Sequence, residues 1–302
     1  DIQEANQYAW HSTLHAKDDP FGLGKGCGGG GLGWSGPRDW TASEYGPGAS
    51  CIDTTAPFNV AVAFPVDQQG NLAAMEVTLS QEGRACPLSV SLSTYQSMVE
   101  LQQALAAGMT PIISYWRADD MLWMDGQGSD YQGPCATDNA KACSDSVKFY
   151  DFMVQTIGGD APAAAPASGG AVASVSQPST TAKPAVAQDC AACPGAFEMH
   201  GYGSVWIVPT GWYERSCLAE FEVSELGELV PHVGSRAYFA DACKAGKYDH
   251  THYVGLDLLG KTLRYSVDLS GAGCGCNAAL YLTSMKQNAH KSECHDFYCD
   301  AN

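Results

Sequence analysis

Hydrophobic and polar residues alternate with a period of two in several stretches of the chain. The apolar members of two such stretches are Met75, Val77 and Leu79, and Leu263, Tyr265, Val267 and Leu269. This period is typical of β-strands with one buried face. More continuous apolar stretches at 60–64 and 109–115 predict strands that are buried more fully, and 95–107 has the spacing of a helix that ends before Gly108. The pattern therefore predicts a mainly β protein with one short helix.

The composition changes sharply at residues 158–189, which consist largely of Ala, Pro, Ser, Thr and Gly. Such a segment buries too little apolar surface to offset the entropy of ordering it, and we interpret it as a linker. It separates an N-terminal segment, 1–157, from a C-terminal segment, 190–302.

The net charge of −17 argues against nucleic acid and anionic membranes as partners, because both would repel the protein. The sequence contains no apolar run long enough to predict insertion into a membrane. Thirteen cysteines predict a disulfide framework and a secreted or extracellular location, and their odd number leaves at least one thiol without an internal partner. No cofactor and no metal site are predicted.

Candidate chemistry begins with the first residues, Asp1-Ile2-Gln3-Glu4-Ala5-Asn6. Two neighbouring carboxyl groups can divide the work of glycoside hydrolysis, one as the acid and the other in attack or assistance. Strict strand alternation places Asp1 and Gln3 on one face and Glu4 on the other. A β-bulge near Gln3 and Glu4 is therefore required if both carboxylates face one cleft.

Further motifs extend this picture over most of the chain. They are His15 eleven residues after Glu4, Gly26-Cys27-Gly28-Gly29, Trp34 to Arg38, Tyr45-Gly46-Pro47-Gly48, Ser114-Tyr115-Trp116, Met121 to Asp125, Val233 to Tyr238, Asn277 to Tyr281 and Tyr298-Cys299-Asp300. Together with the first hexapeptide they resemble glycoside hydrolase family 7. The resemblance covers nearly all of the chain outside the linker and residues 190–230.

The resemblance implies a concanavalin-like β-jelly-roll sandwich of two curved antiparallel sheets with a long substrate cleft. It implies retaining hydrolysis of a β-1,4-glucan such as cellulose, with cello-oligosaccharides as smaller ligands. In this reading Glu4 is the acid/base, Asp1 assists the nucleophile, and His15 is a third catalytic-site residue. Substrate-binding positions are Trp34, Arg38, Trp116, Trp123, Asp300 and Asn302.

The nucleophilic Glu of the family falls two residues before Asp1, outside the sequence. A retaining double displacement requires that residue. The alternative to a glycosidase is therefore a catalytically inactive relative that binds glucan or serves, with a protein partner, as a structural module of an assembly.

The order of the two segments is reversed relative to the family. This order indicates a circular permutation, in which 158–189 joins the old termini, or a piece of a tandem array. Permutation predicts that Asp1 and Asn302 lie close together at the cleft.

The resemblance also implies a disulfide between Cys135 and Cys274, which would fasten the two segments together. Other interpretations carry less weight. His11 and His15 are four residues apart and would suit a metal only if they lay on a helix. The Gly-rich stretch 28–31 lacks the strand-loop-helix context of a phosphate-binding loop. Cys190-x-x-Cys193 is more typical here of a structural motif than of a redox motif.

Overall fold

The computed structural model describes residues 1–28, 40–126, 134–158, 192–211 and 220–290. The strands are β1 (Gln3–Ala5), β2 (Trp10–His11), β3 (Tyr45–Gly46), β4 (Ile52–Asp53), β5 (Phe58–Ala63), β6 (Met75–Ser80), β7 (Leu88–Leu92), β8 (Thr110–Arg117), β9 (Lys148–Thr156), β10 (Ala196–Met199), β11 (Gly203–Pro209), β12 (Phe221–Val223), β13 (Leu229–Pro231), β14 (Ser235–Ala240), β15 (Lys261–Asp268) and β16 (Cys276–Thr283). The α-helices are α1 (Met98–Ala107) and α2 (Leu122–Asp125), and short 3₁₀ turns lie at Ala140–Ala142 and His250–His252.

Two seven-stranded sheets form a β-sandwich of the jelly-roll type. The first, which we call the cleft sheet, has the order β10-β11-β14-β8-β16-β1-β2, and the second, the back sheet, has the order β12-β13-β9-β15-β5-β6-β7. All pairings within these two sheets are antiparallel. Both sheets contain strands from 1–157 and from 190–302, and strands of the two segments pair directly in each sheet, so the two segments build one sandwich together.

The alternating stretches at 75–79 and 263–269 lie in β6 and β15, as their pattern predicts. The stretch 109–115 is also confirmed as a buried strand, because the first six residues of β8 are all buried. The stretch 60–64 is likewise a strand up to Ala63 and has no exposed residue, since Val60, Val62 and Phe64 are buried and Ala61 and Ala63 are partly buried. Helix α1 begins at Met98 rather than at 95, because Tyr95 is buried and its hydroxyl donates to Asp19.

A β-bulge in β9 shapes the centre of the core. Tyr150 pairs with Ser266 and Met153 pairs with Arg264, so two residues of β9 lie opposite the single residue Tyr265. Asp151, the first of the two, has a φ of 56°. The second, Phe152, is thereby turned inward, and its ring stacks on Tyr265 with centroids 5.5 Å apart.

Four disulfides join described cysteines: Cys51–Cys86, Cys135–Cys274, Cys143–Cys276 and Cys193–Cys243. The bridges of Cys135 and Cys143 connect the two segments of the chain, and the first has the pairing that the resemblance implies. Cys27 is buried and is the free cysteine among the described residues. No helix among the described residues is long and apolar enough to span a membrane.

The proposed linker, 158–189, lies almost entirely outside the described residues, as does Asn302. The segment boundaries and the permutation therefore stay predictions.

We predict that Phe152→Ala lowers the free energy of unfolding by about 3–5 kcal/mol, because it leaves a cavity in the tightly packed aromatic centre. Phe152 is fully buried and also contacts Phe239 across the sandwich, with centroids 5.3 Å apart. Urea unfolding measures the effect, and Leu226→Ala, at a side chain that is 88% exposed, is the matched control. A loss below about 1 kcal/mol in Phe152→Ala would contradict this account of the core.

Candidate active site

Strand β1 carries one extra residue relative to its neighbours. Glu4 pairs with His11, whereas Asp1 exchanges two backbone hydrogen bonds with Thr13. Ile2 and Gln3 therefore lie opposite the single residue Ser12, which defines a β-bulge. The same irregularity appears where β1 pairs with β16. There the N–H of Ile2 donates to the carbonyl of Leu280, which is the residue that pairs with Gln3.

The bulge decides which side chains face the cleft. Asp1 and Glu4 both line one cavity of about 510 Å³, although strict alternation would separate them. The bulge that the sequence requires is present, and it lies at Ile2–Gln3, one residue earlier than expected. Gln3 points into the core instead, where its amide donates to Ala278 and accepts a hydrogen bond from the hydroxyl of Tyr265.

His15 lies beside Asp1, with 2.7 Å between Nε2 and the carboxylate Oδ2. Its Nδ1 lies 3.0 Å from the carbonyl oxygen of Pro20, which only accepts, so Nδ1 carries a proton. Burial lowers the pKa of His15 to about 4, which favours the neutral imidazole at neutral pH.

An amide holds Glu4 on the cleft face of the sheet. Nδ2 of Asn277 donates to Glu4 Oε1 at 3.3 Å, while Oδ1 of Asn277 accepts from the backbone N–H of Ala5 at 3.2 Å. Asn277 is fully buried. Its position is fixed by the pairing of β16 with β1, so the fold orients Glu4 from the adjacent strand. Asn277 was absent from the candidate site residues, although its motif was part of the resemblance.

Asn6 ties the end of β1 to helix α2. Its Nδ2 donates to Asp125 Oδ2 at 2.6 Å, and its Oδ1 accepts from the N–H groups of Tyr8 and Ala9. Asp125 Oδ2 also accepts from Gly275 N–H at 2.9 Å. Burial raises the pKa of Asp125 to about 6. This contact sets the position of α2, which carries Trp123, relative to the strand that carries Glu4.

The two described tryptophans of the candidate set lie together in the same cavity as the carboxylates. Trp116 on β8 and Trp123 on α2 are stacked, with centroids 6.5 Å apart and an angle of 26° between their planes. Aromatic faces of this kind can pack against the apolar faces of pyranose rings. The structure thus brings together Asp1, Glu4, His15, Trp116 and Trp123.

The remaining candidates Trp34, Arg38, Asp300 and Asn302 lie outside the described residues. The metal interpretation of His11 and His15 requires a helix, but His11 lies in β2 and its Nε2 contacts the carbonyl of Met124 at 3.0 Å. His250 and His252 lie in a 3₁₀ turn.

Asp125 lies close to the sulfur atoms of Cys135 and Cys274. Those sulfurs form a disulfide, so they are not thiolate ligands. Cys193, the described half of the Cys-x-x-Cys pattern, is likewise bonded to Cys243.

The architecture is a β-jelly-roll sandwich with a carboxylate pair and an aromatic platform in one cleft. Residues 214–300 match the model of glycosyl hydrolase family 7, which supports assignment of the chain to this family. The match confirms the resemblance and supports glycoside hydrolysis of β-1,4-glucans in general. It contains β12 to β16, whereas Asp1, Glu4 and His15 lie outside it. No solved structure matches the chain.

We predict that His15→Asn reduces the acid sensitivity of the fold. The unfolded chain binds a proton at His15 near its ordinary pKa of 6.5, but the folded protein binds it only near 4. Stability that His15 contributes above pH 6.5 is therefore lost as the pH falls from 6.5 towards 4. Unfolding free energies at about pH 7 and about pH 4 should differ less in His15→Asn than in the wild type.

The matched control is His200→Asn, at an exposed residue that forms a β-bridge with Met153. An unchanged pH dependence in His15→Asn would contradict the burial of a neutral imidazole at this site.

Proposed function

We propose that the protein is a β-1,4-glucanase of the cellulase type that acts with retention, and that Glu4 is its acid/base residue. The observation that carries the proposal is the bulge of β1, which brings Asp1 and Glu4 to one cavity beside two stacked tryptophans. A regular strand would have buried one of the two carboxylates in the core. The family assignment supports the same reaction class.

In the proposed reaction, Glu4 donates its proton to the glycosidic oxygen as the bond to the anomeric carbon breaks. A second carboxylate attacks that carbon and forms a glycosyl-enzyme, and Glu4 then removes a proton from the water that hydrolyses it. The resemblance places this nucleophile two residues upstream of Asp1, and the proposal takes it to be supplied there.

Asp1 and His15 would assist the nucleophile. His15 lies beside the Asp1 carboxyl group and stays neutral because burial lowers its pKa, and Asp1 in its protonated form would stabilise a neighbouring carboxylate by donating a hydrogen bond to it. The pair can therefore stabilise the negative charge of the nucleophile before attack. This stabilisation ends as the covalent bond forms and the nucleophile loses its charge.

Trp116 and Trp123 would bind successive pyranose rings through their apolar faces, and the substrate would be cellulose-like glucan or cello-oligosaccharide. By resemblance, Trp34, Arg38, Asp300 and Asn302 would extend this binding surface. Four disulfides support a secreted location, because such bridges persist in oxidising compartments.

A glucan-binding or structural module is the second candidate function. The stacked tryptophans favour it, because sugar binding on an aromatic platform does not require a nucleophile.

We predict that Glu4→Gln lowers the release of reducing sugar from carboxymethylcellulose by about 10²–10⁴-fold, because the amide is too weak an acid to transfer a proton to the leaving oxygen. Gln keeps the shape of the side chain and can keep the contact with Asn277. Wild-type enzyme should release the β-anomer first, as ¹H NMR of the product can show. Release that persists in Glu4→Gln would remove Glu4 from the mechanism, whereas no release by the wild type with retained oligosaccharide binding would favour the binding module.

We predict that Trp116→Ala weakens cellotetraose binding by about tenfold, because one stacking face is lost. Isothermal titration calorimetry measures the affinity, and Tyr202→Ala, at an exposed turn between β10 and β11, is the aromatic control. Equal affinity in Trp116→Ala and the wild type would show that sugars bind elsewhere.

A further inference from the structure

Two carboxyl groups meet in the interior of the protein without a donor between them. Asp125 is fully buried at the end of α2, and the carboxyl group of Asp138 lies within hydrogen-bonding reach of it. Among the described residues, no group donates to Oδ1 of Asp125 or to either carboxylate oxygen of Asp138, and all three atoms are buried. Two ionised carboxylates at this contact would repel each other and would lack the hydrogen bonds that buried oxygens require.

The other oxygen of Asp125 already has its partners. Oδ2 accepts from Asn6 Nδ2 at 2.6 Å and from Gly275 N–H at 2.9 Å. A proton on Oδ1 would leave these two hydrogen bonds intact and would let Asp125 donate to Asp138. Burial, together with the neighbouring Asp138 carboxyl group, raises the pKa of Asp125 to about 6, so this proton stays bound in mildly acidic solution.

Backbone contacts and a disulfide hold the two carboxyl groups together. The N–H of Cys135 donates to the carbonyl of Asp125 at 3.0 Å, and the N–H of Asn139 donates to the carbonyl of Cys274 at 3.2 Å. Cys135 and Cys274 are themselves bonded. Since these contacts flank Asp138 on both sides in the sequence, its carboxyl group can move away from Asp125 only if some of them break.

Other titratable side chains at this junction have partners of their own. His11, Arg117 and Asp119 contact the backbone of Met124 or Ala140. The titratable group that shifts the pKa of Asp125 is Asp138. A proton shared by the two carboxyl groups therefore supplies the donor that the described residues do not.

The pair lies between the elements that carry the candidate active site. Asp125 follows Trp123 by two residues in α2, and Asn6, to which it is hydrogen-bonded, follows Glu4 by two residues. A change at Asp125 is therefore transmitted directly to the aromatic platform and to the strand of Glu4.

We propose that Asp125 and Asp138 share one proton and act as positioning residues, which hold Trp123 and the strand of Glu4 in the arrangement that binds glucan. Loss of this proton brings two buried negative charges into contact, which loosens α2 and displaces Trp123. The cleft therefore binds glucan best in mildly acidic solution. The proposal rests on the proposed function of the same cleft.

A ¹³C NMR titration of the aspartate carboxyl groups detects the shared proton. In the wild type, the resonance of Asp125 should titrate with a midpoint near pH 6. Asp138→Asn replaces the shared proton by an amide N–H that donates at every pH, so the midpoint of Asp125 should fall by at least about one pH unit. Asp257→Asn, at a side chain that is 57% exposed, is the matched control and should leave the midpoint unchanged. A wild-type midpoint near the ordinary value of 3.8 would overturn the proposal.

Calorimetric titration with cellotetraose tests the positioning role at about pH 5 and about pH 7.5, on either side of the pKa of Asp125. As the pH rises, the affinity of the wild type should fall about five- to tenfold more than that of Asp138→Asn, because only the wild type loses a buried hydrogen bond. Asp125→Asn should behave like Asp138→Asn, since its amide can accept from Asn6 and donate to Asp138. Asp257→Asn should keep the pH dependence of the wild type.

The outcomes separate the two proposals. Equal pH dependence of binding in the wild type and in both variants of the pair, with all proteins folded by circular dichroism, would overturn the positioning role and leave the proposed function intact. Failure of every protein to bind at both pH values would instead overturn both.

Discussion

The extra residue in β1 is the constraint on which the cleft depends. Side chains along a strand alternate between the two faces of a sheet, and that period cannot place residues three apart on one side. Ile2 and Gln3 lie opposite the single residue Ser12, which interrupts the alternation once. Asp1 and Glu4 therefore face the same cavity. The energetic cost of the irregularity is reduced because Ile2 still donates to Leu280 and Gln3 still finds two polar partners.

A corresponding irregularity in the back sheet supports the first. Asp151 and Phe152 both lie opposite Tyr265, and this bulge turns Phe152 into the core, where its ring stacks on the ring of Tyr265. The hydroxyl of the same Tyr265 donates to Gln3 at 2.9 Å. The two bulges therefore meet through one tyrosine, and aromatic packing between the sheets fixes the backbone that carries Glu4. The side chain of Gln3 thus contacts the core rather than Glu4.

Periodicity predicted the strands because burial of one face of a strand makes apolar and polar residues alternate along the sequence, as in β6 and β15. It also showed that a bulge was necessary, but not at which residue, because the position depends on the partners of Gln3 across the sandwich. The role of Asn277 was missed for a similar reason, since its contact with Glu4 spans 273 positions of the chain. Local pattern contains no information about such distant pairing, although motif resemblance pointed to the correct segment.

The hydrogen bond from Asn277 to Glu4 suits the acid/base role that we propose for Glu4. A Lys or Arg at hydrogen-bond distance would favour the carboxylate strongly and oppose its use as an acid. The amide of Asn277 is neutral, and it can donate to the carbonyl oxygen of a protonated carboxyl group as well as to a carboxylate. Because Asn277 is itself fixed by Ala5, it orients Glu4 in both protonation states. Backbone pairing and the neutral amide of Asn277 thus help to position Glu4.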